Sequence, residues 1–564
     1  MRAAKPGRGL RIFVLAAVLG GLVAPILAGL WYTAQAAFGG LAGGAPASWA
    51  TLAALPGLKT SVALSLWTGL AATGLSLALA FALIVEWHTR GARTRGLYLL
   101  TPLLAAPHSA VAIGLAFLLA PSGWIVRLFS PWATGWTVPP DLATVQDPLG
   151  LALIIGLVVK ETPFLLLVTA AALRQVPVRQ HLAAGQSLGY APRQVWIRIL
   201  LPELYRLIRL PVYVVLAFSL SVVDMAIILG PSNPPTLAVA MTRWYAAADL
   251  QRFAPASSAA LLLGVVTIGA AILWTAGSRF AARLLAATFY QGRRRGPVRG
   301  PQLCAALGVV VLLSGAGALL ASVIWSLARQ WRFPADLPSD WTVSAWTTHS
   351  AVWVRSVTET ALLAGVASGL SLLLAILWLE GETRGHFARA RWAEALIYLP
   401  LLIPQLAFLF GLHIVFLRLG VGGDRMSVIW VHVIFVFPYV MLALSEPWRA
   451  LDPRLTRTAA ALGASPLRQL LAIRLPCLTG PILTALAIGV AVSTAQYLPT
   501  LFMGGGRIRT LTTEAVSLAS GGDRRATGVF AVLQSALPLL AYGLAVTLPA
   551  LLLRNRRGLS GGGA

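Results

Sequence analysis

Acidic residues are scarce in this chain. Asp and Glu number 18 against 44 Lys and Arg in 564 residues, and only 11% of the residues are charged. So little charge cannot coat a soluble protein of this length, whose surface needs far more polar residues to cover its core. Lysine is scarcer still: Lys5, Lys59 and Lys160 are the only ones, and none follows a glycine. A phosphate-cradling G-x4-G-K-[ST] loop is therefore absent, which excludes ATP hydrolysis through a P-loop of this chain's own. The two cysteines, Cys304 and Cys477, give no disulfide framework and no metal cluster. The seven histidines are scattered without a short-spaced pair, so no zinc site is expected. No nucleophile–base constellation stands out, and no catalytic residue is expected.

What the chain has in abundance is apolar. Hydrophobic residues make up 58% and the mean hydropathy is +0.78. Apolar runs of about 20 residues recur, long enough to cross a hydrocarbon layer as helices. They do not alternate apolar with polar, which excludes a β-barrel. The expected fold is an all-α polytopic membrane protein of about twelve spans. In the first half these lie near 12–34, 58–85, 97–120, 149–173, 207–230 and 257–285. In the second half they lie near 303–328, 355–380, 395–417, 426–445, 479–504 and 528–553. The run from Ile12 to Trp31 is longer than a signal-peptide core and reads as a retained first span.

A net charge of +26 would suggest nucleic acid in a soluble protein. Here the arginines gather in loops at membrane ends, where anionic lipid and insertion rules favour them, so the expected partner is the bilayer and not nucleic acid. With the N-terminus inside, about 30 of the 44 basic residues fall on the inner side, including Arg90, Arg93, Arg95, the stretch Arg174 to Arg209 and Arg449 to Arg474. Both termini are accordingly expected in the cytoplasm.

The halves repeat. GLSL at Gly74 to Leu77 recurs at Gly369 to Leu372, and Pro107 and Gly114 recur as Pro404 and Gly411. Pro163-Phe164 matches Pro438-Tyr439, while Gly230 and Thr236-Leu237 match Gly504 and Thr510-Leu511. An even number of spans per half makes the repeat parallel, about an axis along the membrane normal. The expected division is a tail and first span over 1–55, a transmembrane domain over 56–285, a cytoplasmic connector over 286–302 that holds GRRRGPVRG, a seventh span and outer loop over 303–350, a second transmembrane domain over 351–553, and a tail over 554–564.

Between the fourth and fifth spans runs AAGQSLGYAPRQVWIRILLP, Ala183 to Pro202. Its twin, TAAALGASPLRQLLAIRLP, runs from Thr458 to Pro476 at the same place in the second half. Both fit G-x9-I-x-L-P: Gly189, Ile199, Leu201 and Pro202 in one, Gly463, Ile473, Leu475 and Pro476 in the other. Small residues precede each glycine, namely Ala183, Ala184 and Gly185, and Thr458 and Ala459. Gly189 permits a sharp turn between two short helices. Val195, Ile199 and Leu200, or Leu467, Leu470 and Leu471, add apolar contacts at helical spacing. Pro202 and Pro476 are expected to end these helices before the next span.

These loops resemble the EAA loop, E-A-A-x3-G-x9-I-x-L-P, of the membrane-spanning subunits of ABC importers. The leading Glu is Ala183 in one copy and Arg457 in the other. The fused two-half layout is similar to the permeases that serve ferric iron, thiamine and related small solutes. The resemblance implies a bacterial-type inner-membrane permease subunit that binds no cofactor itself. It implies ATP on two separate cytoplasmic ATPase chains, one for each loop, and an extracytoplasmic binding protein that delivers a small solute. The alternative left open is an ion-gradient-driven secondary transporter with two parallel six-span halves, although it leaves the paired loops unexplained.

Ionisable groups inside spans are costly and tend to line paths or pair with each other. Asp224 in the fifth span, and Gln496 and Tyr497 at the equivalent place in the eleventh, are expected to face a translocation path. Lys160 and Glu161 in the fourth span are further candidates; as sequence neighbours they do not face one another, so Glu161 calls for a basic partner elsewhere. The Gly-rich segment with Arg507 and Arg509 is expected on the outer side.

Overall fold

The computed structural model describes residues 13–39, 45–90, 100–247, 253–290, 300–385, 389 and 391–552. Of the expected connector over 286–302, residues 291–299 lie outside the described residues, as do both chain ends, Arg93 and Arg95, while 286–290 and 300–302 belong to helices. Twelve principal helices follow in order. They are α1 Phe13–Ala37, α2 Leu58–Thr89, α3 His108–Leu119, α4 Leu151–Ala172, α5 Leu201–Ser221, α6 Phe253–Tyr290, α7 Gly300–Leu327, α8 Ser350–Thr383, α9 Gln405–Arg418, α10 Arg425–Ala450, α11 Thr479–Thr494 and α12 Arg524–Leu552. Among the described residues the only sheet is a two-stranded hairpin that pairs Ala328–Gln330 with Asp340–Trp341.

The architecture is all-α and polytopic. Nine helices among the described residues are long and apolar enough to cross a membrane, or eleven if each of two bent pairs counts as one crossing. The bent pairs are Trp392–Leu401 with α9, at 92°, and Pro466–Cys477 with α11, at 78°. That compares with the twelve spans expected. The principal helix outside the set is α5, which carries Glu203, Arg206 and Arg209 in its first half.

The first loop departs from expectation at its proline. Residues 192–221 form one continuous helix, with a π turn at Trp196–Leu200 immediately before Pro202. Proline has no N–H for the carbonyl one turn back, and its ring crowds that carbonyl. The wider π turn absorbs both defects, so the helix continues. A matching π turn, Leu470–Arg474, precedes Pro476, but there the chain bends after Cys477.

The repeat reaches atomic detail. The backbone N–H of Leu237 donates to the Ser65 hydroxyl at 2.9 Å. At the equivalent place, the N–H of Leu511 donates to the Thr360 hydroxyl, also at 2.9 Å. Each amide opens a short helix, Leu237–Ala246 or Leu511–Ala519, whose first N–H groups have no intrahelical partner. In turn Ser65 donates to the Ser61 carbonyl and Thr360 to that of Ser356.

The halves interlock. Helix α1 packs on α9, and α7 packs on α3, so each half's first helix lies against the other half's third. Glycine permits the approach. A Cβ on Gly114 would collide with the Ala318 carbonyl of α7, and one on Gly411 with the Gly29 carbonyl of α1. The Gly411 N–H also donates to Thr33 of α1 at 3.0 Å. One apolar core runs through both halves, from Leu22 and Val111 to Phe437 and Val516. A second cluster, with Ile84, Leu165, Trp196, Leu200 and Leu204, lies beneath the first loop.

Candidate functional site

The two loops fold alike. In the first, helix Val178–Ser187 is followed by Gly189 at φ +84° and a second helix from Pro192. In the second, helix Pro453–Ala461 is followed by Gly463 at φ +81° and a second helix from Pro466. Both glycines occupy the left-handed region that other residues avoid. Gly185 is buried so closely against Val195 on the facing helix that a Cβ there would strike it. Its counterpart, Ala459, has the extra methyl, and Gln469 stands at the position of Val195.

Each loop presents an exposed face. Ala183, Ala184, Gly189, Arg457, Thr458 and Gly463 are all exposed. Leu188 and Leu462, each just before the turn glycine, are 60% and 83% exposed. Further apolar exposure is uneven. The first loop buries Trp196 and Leu200 completely and leaves Ile199 at 37%, while the second exposes Leu455, Leu467 and Leu471. Leu201, Pro202, Ile473, Leu475 and Pro476 are half-buried where each loop meets its own helix bundle.

Each loop is also tied to the C-terminal end of its half's second helix. Glu86 of α2 accepts two hydrogen bonds from Arg193, at 2.8 and 3.0 Å, and one from Arg90 at 3.2 Å. Glu380 of α8 accepts from Arg474 at 2.6 Å and from Arg384 at 2.5 Å. Both glutamates are at most 5% exposed. Sequence reasoning missed this pair, although E-x2-T-R-G is present twice, at Glu86 to Gly91 and Glu380 to Gly385.

A second constellation lies where the halves meet. The helical rod breaks at equivalent points: α5 ends at Ser221 and a short helix opens at Asp224, while α11 ends at Thr494 and a short helix opens at Leu498. The Asp224 carboxylate faces the backbone N–H groups of Ser109 and Met225 and lies within electrostatic reach of His108. Tyr497 from the other half lies within reach of Asp224, and Tyr439 within reach of Glu161. Glu161 finds its basic partner in His108, whose Nε2 is 3.1 Å from Oε1, and the His108 ring packs on Phe218 at 4.5 Å between centroids. Gln496 is buried beside Tyr497, and its carbonyl accepts from Thr500.

Lys160 stands apart from this group. Its ammonium donates to the carbonyls of Leu103, Leu104 and Ala106, at 2.8, 2.9 and 2.5 Å. Those carbonyls end the short helix Thr101–Ala105, where a cation satisfies groups left without intrahelical donors. Lys160 thus shapes the break that presents His108. The sequence reading missed His108, whose one signal was its place directly after Pro107, a marker of the repeat. Among the described residues no group of three or more His, Cys, Asp or Glu is placed to hold a metal ion.

Comparison with known proteins gives the same frame. The chain is 32% identical over 502 residues to the inner membrane ABC transporter permease protein YnjC of Escherichia coli K12, a match that covers 88% of this chain and 89% of that protein. It is 26% identical over 236 residues to PhnV of Salmonella choleraesuis SC-B67, a permease protein named for 2-aminoethylphosphonate transport, over 40% of this chain and 88% of that one. PhnV of Salmonella typhimurium LT2 is 25% identical over 203 residues, 35% of this chain and 75% of that protein. No family model matches the chain.

Proposed function

Because the chain belongs to the inner-membrane ABC transporter permeases, we propose that it forms the whole translocation path of an importer and couples through two cytoplasmic loops to two separate ATPase chains. The observation that carries this reading is the duplicated helix–glycine–helix loop, with Gly189 and Gly463 at nearly the same φ and an exposed leucine before each. An ion-gradient-driven transporter needs no such pair.

On this reading both termini are cytoplasmic, and a solute-binding protein delivers a small solute to the opposite face. Ala183, Ala184 and Gly189, with Thr458 and Gly463, form the faces that seat in the ATPases, while the expected contacts Gly185 and Ala459 are buried within their loops. Ile199, Leu201 and Pro202, with Ile473, Leu475 and Pro476, join those faces to α5 and α11. ATP binds on the partner chains, and their closure moves the loops as rigid bodies. The solute passes between the halves, past Asp224, Glu161 and His108 on one side and Gln496 and Tyr497 on the other. Relatives named for phosphonate transport fit a small polar solute. Lys160 takes part by holding the break before His108.

The test is affinity purification from the native membrane through a tag on this chain. An ATPase with a P-loop is expected to accompany it, and Gly463→Trp, which blocks the turn and its exposed face, is expected to retain about half as much of that ATPase while the permease stays monodisperse. A permease that carries no ATPase contradicts the reading.

A further inference from the structure

The loops lack the acid that leads the consensus motif, since Ala183 and Arg457 stand in its place. Each loop nevertheless meets a buried carboxylate, supplied by the end of α2 or α8. Glu86 and Glu380 each stand three residues before Thr-Arg-Gly at the end of the second helix of their half, although the register that pairs Ser65 with Thr360 sets Gly381 opposite Glu86. Their arginine partners are not equivalent. Arg193 directly follows Pro192, and the residue that follows Pro466 is Leu467. Arg474 stands where the first loop has Leu200, seven residues after Arg193 in that register. The π turn lies between the two register positions in each loop.

A buried glutamate ends the second helix in both halves, while the loop arginine that meets it comes from before the π turn in one loop and from its last residue in the other. In the second half Arg384 covers the position left open: its guanidinium donates to the Pro466 carbonyl at 2.5 Å, beside Leu467. Both halves thus reach a loop–helix ion pair through different residues. A buried ion pair gives little net stability, because desolvation offsets the attraction. An arrangement built twice by different routes therefore points to a mechanical role.

The covalent path makes that role unequal in the two halves. The first loop runs without interruption into α5, as the continuous helix 192–221. The second loop meets a 78° bend after Cys477 before α11 begins. A push on the second loop has no straight rod to follow into α11, and the Glu380 pair gives it a direct connection to α8.

We propose that Glu86 and Glu380 are positioning residues that clasp each coupling loop to α2 or α8, so that ATPase closure moves those helices together with α5 and α11. The Glu380 clasp, with Arg474 and Arg384, is the main link in the second half. This inference rests on the coupling role given to the loops under Proposed function.

The experiment is hydrogen exchange on the complex purified through a tag on this chain, with its accompanying ATPase, in nanodiscs with and without ATP and vanadate. In the wild-type complex, ATP and vanadate are expected to change exchange in both loops and at the ends of α2 and α8. Glu380→Gln is expected to keep the response in loop 453–477 and lose it at residues 376–384. Arg474→Gln, which removes the loop's partner for Glu380, is expected to lose it as well. An α8 end that still responds in either variant overturns the clasp. A wild-type complex without any ATPase instead contradicts the coupling reading itself.

Discussion

The hydroxyl of Ser65 accepts the backbone N–H of Leu237 at 2.9 Å, and that of Thr360 accepts the N–H of Leu511 at the same distance. Two helices of one half are joined there by one buried bond, and the other half repeats it with a different hydroxyl residue. Ser65→Ala and Thr360→Ala each leave a buried helix-opening amide unpaired, at a cost of about 1–3 kcal/mol. Thermal unfolding of the detergent-purified chain is expected to show a lower midpoint for both variants. A drop for one alone would mean that the halves are not built alike at this point.

The interlock between halves rests on two glycines. Gly114→Leu and Gly411→Leu drive a side chain into the carbonyls of Ala318 and Gly29. Overpacking costs about 1–3 kcal/mol where neighbours can shift, and backbone on a neighbouring helix yields less than a side chain does. Both variants are expected to elute as aggregates or to be clipped faster by protease in the segments that hold α1 and α7. Wild-type resistance in either variant would show that the crossed packing is loose.

Much of this was legible in the sequence, for physical reasons. Long apolar runs reveal helices that must satisfy their own backbone in lipid, and Gly189 and Gly463 mark turns that only glycine makes easily. Pro202 was misread because a π turn can absorb a proline, and no local composition announces one. His108 was hidden because its partner Glu161 is 53 residues away and meets it only through the break that Lys160 holds open. The Glu86 and Glu380 clasps were hidden because their arginines occupy different positions in the two loops.

The meeting of the halves supplies a third prediction. His108→Ala removes the partner of a carboxylate only 6% exposed, and Asp224→Asn removes the charge that faces Tyr497. Both are expected to reduce uptake at least about tenfold, a rise of about 1.4 kcal/mol in the transport barrier, with ATPase still bound. The assay is solute-dependent growth of a strain whose only copy is the variant. Full growth with both variants would take this cluster out of the path.

The loops differ in what they offer. Leu462 is 83% exposed and sits among the exposed Leu455, Leu467 and Leu471, while Leu188 is 60% exposed beside fewer apolar neighbours. Leu462→Asp is therefore expected to weaken ATPase retention more than Leu188→Asp, read as the ATPase that remains on the tagged chain after a salt wash. The reverse order would place the stronger contact on the first loop.

The central claim is that one chain carries two coupling loops and so holds two ATPases. The mass of the intact complex released from nanodiscs measures this directly. The account predicts one copy of this chain with two ATPase copies, falling to one ATPase when either Gly189 or Gly463 is replaced by Trp. A wild-type complex with a single ATPase, or one whose ATPase count is unchanged by both replacements, would contradict it.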